Sequence, residues 1–451
     1  MSDTGVSRTG AGSLSTYRQP GLVLTDHHFT VPLAHTRPDG ETIELYGREI
    51  VASGKAADRD GLPWLLYLEG GPGFGARRFI GPQAWLGRAV QEFRVLLLDQ
   101  RGTGRSTPAN RQTLPLRGTP REQADYLAHF RADSIVRDCE LIRPALTGGA
   151  PWTVLGQSFG GFCVTHYLST APEGVAMALF TGGLPSLDAT ADDVYRAAYP
   201  RIRRKNEAHY ARYPEDVERV RRIVAHLAEH EVTLPGGGLL TVEAFQSLGI
   251  LLGGGEGTHQ LHLLLEGAFV PTPAGPALAD AFLENVQAQL SYAGHPLYAL
   301  LHEPLYAQGP TFGHGATDWA ADRIRAGFPE FDAARALAGD GPVLFTGETV
   351  HPWLFTTDPA LRPLRETAEH LAARTDWAPL YDPARLAANE VPAAAAVYHD
   401  DMYVDTAHSL RTARTIRGLR TWVTDEFEHD GVRAGGPQVL DRLLALARGE
   451  I

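Results

Sequence analysis

The stretch from Gly156 to Gly161 reads Gly-Gln-Ser-Phe-Gly-Gly and is the most informative local pattern in the chain. It fits the motif G-x-S-x-G, with a short apolar run, 152–155, before it and an apolar helical segment, 162–168, after it. A serine on a sharp strand-to-helix turn projects its hydroxyl above the end of a sheet. Glycines beside it let neighbouring backbone approach, and the helix N-terminus favours an oxyanion. The stretch therefore predicts Ser158 as the nucleophile of an α/β enzyme.

Short apolar runs on both sides of this motif predict the strands of a mostly parallel sheet. Runs of four to six apolar residues are typical of strands that are buried on both faces. They occur at 64–68, 94–98, 152–155, 177–180, 393–398 and 420–424. Helical patterns such as 134–142 separate them, which indicates βαβ units with helices on both faces of the sheet. Two alternating stretches, 22–33 and 41–51, predict two further strands joined by a Pro-Asp-Gly turn.

A long segment without strand patterns interrupts this alternation. From residue 188 to about 340 the chain reads as helices and loops, so we expect an α/β fold with an inserted helical cap. Residues 1–187 form the first part of the predicted core, with 1–20 as a loose leader. Residues 341–451 form the second part, and within it 341–390 are ambiguous and fit either the core or the cap.

Composition excludes several classes of protein. The 451 residues include 41 Lys and Arg against 53 Asp and Glu, a formal net charge of −12. A net-acidic chain with no basic run is a poor candidate for binding nucleic acid or anionic lipid. The only two cysteines, Cys139 and Cys163, favour a reducing compartment. No apolar run has the roughly 20 residues of a membrane span, and residues 1–16 lack the apolar segment of a signal peptide. We therefore expect a cytoplasmic protein with no nucleic-acid or membrane partner, and nothing in the sequence indicates its oligomeric state.

A nucleophilic serine needs a general base, and the base needs a carboxylate that orients it. In enzymes with a G-x-S-x-G turn the chain order is serine, acid, histidine. His429 is the last of the 18 histidines and follows the final predicted strand, which makes it the candidate base. Three acids follow the preceding strand, Asp400, Asp401 and Asp405. Because like-charged neighbours raise a carboxylate's pKa, we expect only one of them to face the histidine.

A second glycine turn, Glu69-Gly-Gly-Pro-Gly73, follows the strand 64–68. In a serine hydrolase such a loop offers a backbone N–H to the oxyanion, together with the N–H of Phe159. A rival interpretation is a dinucleotide fold, because residues 71–76 fit G-x-G-x-x-A and Asp99 ends the next strand. Pro72 counts against it, since it removes one N–H from the phosphate cradle. That interpretation also leaves Ser158 and His429 without a role.

Three early motifs, in this order and spacing, resemble the proline iminopeptidase (prolyl aminopeptidase) family of α/β-hydrolases. They are Gly70-Gly-Pro-Gly73, Asp99-Gln-Arg-Gly-Thr-Gly-Arg-Ser106 and Gly156-Gln-Ser-Phe-Gly-Gly161. The late segments Asp400-Asp-Met-Tyr-Val404 and Glu428-His-Asp-Gly431 are also similar to that family. Two positions depart from its pattern: Glu69 stands where members often have His, and Phe159 where they often have Trp.

The resemblance implies an exopeptidase that releases an N-terminal residue, preferably proline. It assigns the acid to Asp401, the residue before Met402, and the segment 301–306 is similar to the family's cap segment whose glutamate holds the substrate amine. That glutamate corresponds to Glu303 here. Glu266 and Glu348 are further candidates without a clear motif match.

We therefore expect a serine exopeptidase that forms an acyl-enzyme on Ser158, with His429 as base, Asp401 as orienting acid, and the N–H groups of Gly71 and Phe159 around the oxyanion. The expected partner is a small peptide with a free N-terminus, and no metal or cofactor is expected. The alternatives are a capped esterase or amidase that acts on small substrates and, more remotely, an NAD-binding oxidoreductase. An esterase has no need of a carboxylate that binds an amine.

Overall fold

A nine-stranded sheet forms the centre of the computed structural model, which describes residues 15–451. In chain order its strands are β1 (Thr16–Gln19), β2 (Leu22–Pro32), β3 (Thr42–Ala52), β4 (Trp64–Leu68), β5 (Arg94–Asp99), β6 (Trp152–Gln157), β7 (Val175–Thr181), β10 (Ala393–Tyr398) and β11 (Leu419–Thr424), while β8 (Phe269–Thr272) and β9 (Gly275–Leu278) form a separate hairpin. Across the sheet the order is β1-β2-β3-β5-β4-β6-β7-β10-β11.

The sheet is antiparallel at one edge and parallel elsewhere. β1, β2, β3 and β5 pair antiparallel in that order, and every pair from β5 to β11 is parallel. All residues of β4, β6 and β10 are buried, as expected for strands covered on both faces. The predicted α/β fold with a mostly parallel sheet is therefore confirmed.

Helices cover both faces of this sheet. They are α1 (Ala84–Ala89), α2 (Pro120–Leu127), α3 (Ala132–Thr147), α4 (Phe159–Thr170), α15 (Pro383–Ala387), α16 (Thr406–Thr415), α17 (Gly431–Ala434) and α18 (Gly436–Arg448). α3 and α4 contribute to one hydrophobic cluster with the apolar side chains on one face of the sheet, and α1 and α18 to another on the opposite face. The alternating faces of the strands thus have separate cores.

The segment between β7 and β10 contains the remaining helices. They are α5 (Ala191–Arg212), α6 (Asp216–Glu229), α7 (Val242–Gln246), α8 (Gly257–Glu266), α9 (Asp280–Leu290), α10 (Pro296–Leu301), α11 (Ala320–Arg325), α12 (Ala333–Ala338), α13 (Leu354–Thr357) and α14 (Arg365–Ala372). Apolar residues between 191 and 345, with Met402, form a cluster of their own. Residues from α10, α13 and α14 instead join the cluster that includes α3 and α4. The exact division into core and cap stays a prediction.

Two details differ from the sequence-based expectation. The predicted loose leader covered 1–20; its first 14 residues lie outside the described residues, but Thr16–Gln19 form β1 and pair with Leu22–Thr25. The Pro-Gly turn at 20–21, with Gly21 at φ +76°, allows this tight reversal. The segment predicted as a helical cap also contains the β8–β9 hairpin, whose turn includes Gly275 at φ +113°. No helix among residues 15–451 is long and apolar enough to cross a membrane.

Candidate active site

Ser158 lies on the turn between β6 and α4 with a strained backbone. Its φ of 52° and ψ of −122° are unusual for a residue with a side chain. Close approach of the surrounding backbone holds this turn: a Cβ at Gly160 would overlap the carbonyl oxygen of Leu68, and one at Gly156 would overlap that of Gly160. Both glycines of the motif are therefore required sterically, and Ser158, unlike its neighbours in the chain, is partly exposed.

His429 and Asp401 form a buried hydrogen-bonded pair. The His429 Nδ1–H donates to Asp401 Oδ2 over 2.7 Å, and the two residues are 5% and 1% exposed. The other oxygen of Asp401 accepts from the backbone N–H groups of Tyr403 and Val404, at 2.8 and 3.0 Å. Burial lowers the pKa of His429, but the charge and hydrogen bond of Asp401 outweigh it and raise that pKa above the ordinary value. Nε2 is then the nitrogen left to serve a nucleophile.

The two neighbouring acids, Asp400 and Asp405, contact residues other than His429. Asp400 is exposed and pairs with His399 at 3.0 Å. Asp405 caps the N-terminus of α16 by accepting from the His408 N–H, and it also pairs with Arg201. Of the three acids, Asp401 is the one that contacts His429.

Ser158 and His429 line one cavity of about 420 Å³. The turn after β4 contributes residues 69–71, 74, 75 and 77 to its wall, and the segment between β7 and β10 contributes Ile250, Tyr298 and Glu348. Aromatic side chains, Phe74 and Tyr298 among them, supply apolar surface, with their ring centroids 5.8 Å apart. The segment between β7 and β10 contacts the loop of His429, whose backbone N–H donates to the Gly253 carbonyl over 3.2 Å. The arrangement encloses a small substrate beside a serine and a histidine.

Two backbone N–H groups are suited to an oxyanion. Phe159 is the first residue of α4, where N–H groups have no partner inside the helix. Gly71 lines the cavity at φ +123°, and no acceptor for its N–H exists within the described residues. The Phe159 ring itself is buried against Phe162, with centroids 6.2 Å apart. The backbone N–H, not the ring, is thus what this residue can offer a substrate.

The three predicted amine-binding carboxylates lie in different places. Glu303 is 4% exposed and is not among the residues that line the cavity. Its oxygens accept from the N–H groups of Ala320 and Ala321 at the start of α11, at 3.0 and 2.9 Å. Burial raises its pKa to about 7, although the two N–H donors partly offset this. The structure thus places Glu303 at a helix terminus rather than beside Ser158.

Glu266 is also distant from the cavity. Its half-exposed carboxylate lies 3.5 Å from His262 on the same helix. Glu348, in contrast, lines the cavity, and its Oε1 accepts from the Tyr298 hydroxyl over 2.8 Å. Its Oε2 has no hydrogen-bond donor within residues 15–451. Of the three, Glu348 is the carboxylate that the structure brings together with Ser158 and His429.

Glu69 also lies in the cavity, at a position where the resemblance leads one to expect His. Its Oε1 accepts from the Tyr67 hydroxyl and the Gly70 N–H, at 3.0 and 3.2 Å, and its Oε2 from the Arg77 N–H at 3.3 Å. These donors belong to the β4 turn itself. Glu69 therefore braces the turn that presents the Gly71 N–H.

Sequence reasoning missed two arginines of the cavity, Arg77 and Arg433. Both are exposed, and neither belongs to a motif with a known chemical role. Their only sequence signal is proximity, since Arg433 follows His429 by four residues and Arg77 follows the glycine turn.

The dinucleotide interpretation depends on Asp99, but both carboxylate oxygens of Asp99 already accept hydrogen bonds from the protein. Asp99 is completely buried, and it accepts from the N–H groups of Ala76 and Arg105, at 2.9 and 2.8 Å, and from the Arg78 guanidinium. It therefore ties two loops together and presents no free oxygen to a ribose.

The sheet order and the strained serine turn define the protein as an α/β-hydrolase, with Ser158, His429 and Asp401 as its candidate catalytic residues. Residues 63–232 match the family model described as the alpha/beta hydrolase fold. A proline iminopeptidase from Aeromonas sobria is 48% identical over 433 residues, which cover 96% of this chain and 98% of the relative. One from Aspergillus aculeatus is 37% identical, over 96% of this chain and 95% of the relative.

The chain belongs to the proline iminopeptidase family. Among solved structures, a proline iminopeptidase-related protein from Thermus thermophilus is 16% identical with a TM-score of 0.38, covering 94% of this chain and 97% of that one.

Proposed function

We propose that the protein is a serine aminopeptidase that releases N-terminal proline from peptides through an acyl-enzyme. The observation that carries this proposal is one cavity that contains Ser158, His429 and the carboxylate of Glu348. Two relatives of nearly full length are named proline iminopeptidases, which supports proline as the preferred residue. An esterase or amidase without specificity for amines would need Ser158 and His429 but not Glu348.

In the acylation step Ser158 Oγ attacks the carbonyl carbon of the first residue. Its proton passes to His429 Nε2, while Asp401 holds the imidazole in the tautomer with Nδ1 protonated. The N–H groups of Gly71 and Phe159 stabilise the charge that develops on the carbonyl oxygen. The C–N bond then breaks, and the departing amine takes the proton from His429.

In the second step water replaces the shortened peptide. His429 takes a proton from the water, whose oxygen attacks the acyl carbon, and the ester bond to Ser158 breaks as the proton returns to Oγ. The free amino acid is released and the serine is regenerated. No step requires a group beyond these side chains and backbone amides.

Recognition of the substrate's ammonium is the part of the mechanism that sets exopeptidase specificity. We assign it to Glu348, because the Tyr298 hydroxyl fixes one of its oxygens and leaves the other for the substrate. A charge-assisted hydrogen bond in a half-buried site is stronger than one between neutral groups. A bound ammonium places the first peptide bond, and no later one, beside Ser158.

The nucleophile is tested by labelling with a fluorophosphonate and by Ser158→Ala. The variant is expected to lose the label and to lower kcat by about 10⁶. Retained labelling, or near-normal kcat, would contradict the assignment of Ser158. A cytoplasmic location and the lack of nucleic-acid or membrane partners stay predictions; Cys139 and Cys163, both buried and not joined in a disulfide, are compatible with a reducing compartment.

A further inference from the structure

Two arginines of the cavity have guanidinium N–H groups that no described residue accepts from. Arg77 and Arg433 line the same cavity as Ser158 and Glu348, and both are exposed to its solvent. Neither guanidinium makes a hydrogen bond or ion pair within residues 15–451. Arg78, the neighbour of Arg77, is by contrast paired with the buried Asp99. The cavity thus contains two guanidinium groups whose N–H donors no residue among 15–451 uses.

These charges lie on the core side of the cavity. Arg433 is on α17, four residues after His429, and Arg77 is on the turn after β4. Burial, followed by the charge and hydrogen bond of Glu69, raises the pKa of the nearby Tyr67 hydroxyl, and the charges of Arg433 and Arg77 act on it in the opposite direction. The Glu348 carboxylate is hydrogen-bonded to Tyr298 of the cap. The charges of Glu348 and Arg433 both affect the pKa of His429, and they do so in opposite directions.

The cavity therefore has Glu348 on one side, with an oxygen available, and on the other side the two arginines, next to a Glu69 carboxylate whose hydrogen bonds are made within its own turn. A dipeptide at neutral pH has the complementary pattern, an ammonium at one end and a carboxylate at the other. Its two residues span at most about 7 Å when extended, so both charges are inside a small cavity together. In a long peptide the carboxylate is far from the scissile bond.

Glu69 lies in the same wall but forms no hydrogen bond with either guanidinium within residues 15–451. Its oxygens already accept from Tyr67, Gly70 and the Arg77 backbone, so they are held by the turn and not by a guanidinium. Arg77 contacts the Phe79 ring, with its guanidinium carbon 5.6 Å from the centroid, which leaves its N–H groups available. The N–H donors of Arg77 and Arg433 are thus available to a substrate carboxylate.

We propose that Arg433, together with Arg77, binds the free carboxylate of short peptides, so that the preferred substrates are dipeptides with N-terminal proline. This inference rests on the proposed aminopeptidase function and names the substrate class of that site. An ion pair at an exposed cavity wall is screened by salt, so the preference for a carboxylate is expected to decline as ionic strength rises.

The test compares Pro-Gly with its C-terminal amide, Pro-Gly-NH₂, by the ratio of their kcat/KM values. The ratio is taken within each variant, so any general effect of Arg433 on His429 cancels. We expect about a tenfold preference for Pro-Gly in the natural protein, a ratio near one in Arg433→Gln, and partial recovery in Arg433→Lys. Arg442→Gln is the matched control, because Arg442 is exposed but stacks on Trp422 outside the cavity. It should keep the full ratio.

Equal kcat/KM values for Pro-Gly and its amide in the natural protein would overturn the inference and leave the proposed function intact. So would an unchanged ratio in Arg433→Gln. If Pro-Asp-NH₂ is cleaved as fast as Pro-Gly, the carboxylate recognised is not specifically the terminal one, and the dipeptide assignment fails. Release of proline from none of these peptides would contradict the proposed function itself.

Discussion

The His429 Nδ1–H donates a 2.7 Å hydrogen bond to Oδ2 of Asp401, while Oδ1 of that carboxylate is held by two backbone N–H groups. Both carboxylate oxygens of Asp401 are thus held in place by hydrogen bonds, and the His429 imidazole is fixed in the tautomer with Nδ1 protonated. The same contact raises the pKa of His429, so this single hydrogen bond affects both the orientation and the protonation of the proposed base.

Asp401→Asn is expected to lower kcat by about 10⁴, because the amide no longer fixes the productive tautomer. The pH profile should shift as well. The raised pKa means that the natural protein loses activity as pH falls through a value above that of ordinary histidine. Without the charge of Asp401, burial lowers the pKa, and the acid limb of kcat/KM should move to lower pH.

Asp400→Asn is the control for this change, since Asp400 is exposed and, within residues 15–451, its side chain is bonded to His399 alone. Its pH profile should match that of the natural protein. An acid limb that stays in place in Asp401→Asn would show that His429 is not the group that titrates.

Glu348→Gln is expected to raise KM for a proline arylamide by about 10- to 100-fold, the range for one lost bond to a charged group. The amide cannot neutralise the substrate's ammonium. Glu266→Gln serves as the matched control, because Glu266 lies outside the cavity and is half-exposed. An equal effect of the two substitutions would remove Glu348 from amine recognition.

Glu303 makes stability depend on pH. Its folded-state pKa of about 7 is above the ordinary 4.5, so its contribution is complete below pH 4.5 and is lost as pH rises through 7. This shift corresponds to a decrease in the free energy of unfolding on the order of 3 kcal/mol between low and high pH. Urea unfolding of the natural protein and of Glu303→Gln, at several pH values, should show this slope only in the former.

Glu266→Gln, at an exposed carboxylate, should keep the natural slope in the same experiment. If Glu303→Gln keeps it too, the slope comes from other groups, and Glu303 contributes nothing to the pH dependence of stability.

Gly160→Ala should lower the free energy of unfolding by about 1–3 kcal/mol or more, because the new methyl group overlaps the carbonyl oxygen of Leu68. Gly267→Ala is the control: a methyl group there would meet no heavy atom within 4 Å beyond its chain neighbours, and the φ of Gly267 is −90°. Thermal unfolding of both variants measures the difference. Equal stabilities would mean that the turn around Ser158 tolerates a larger residue.

Local patterns were sufficient to predict the sheet and the serine turn. The strands 64–68 and 393–398 have the predicted bounds. In an α/β chain, a short continuous apolar run bounded by turns is typical of a buried strand. The order of Ser158, Asp401 and His429 along the chain follows from where strands end. β1 was missed because its four residues are half-exposed and carry no apolar pattern.

The cap was much less predictable. Glu348 lies in a stretch without regular structure, 343–349, so no periodicity shows which way its side chain points. Glu303 matches a motif, yet its oxygens are used by the start of α11, a contact between residues 17 and 18 positions apart. Arg77 and Arg433 gain their significance only from the cavity that they share. Such tertiary contacts leave no local signal.

The most direct test of the proposed function measures kcat/KM for a proline arylamide with a free amine and for its N-acetylated form. We expect rapid release of the arylamine from the free form, loss of that activity in Ser158→Ala, and no measurable cleavage of the acetylated form, since acetylation removes the ammonium that Glu348 binds. Equal cleavage of the two forms would contradict an aminopeptidase and indicate the esterase or amidase alternative.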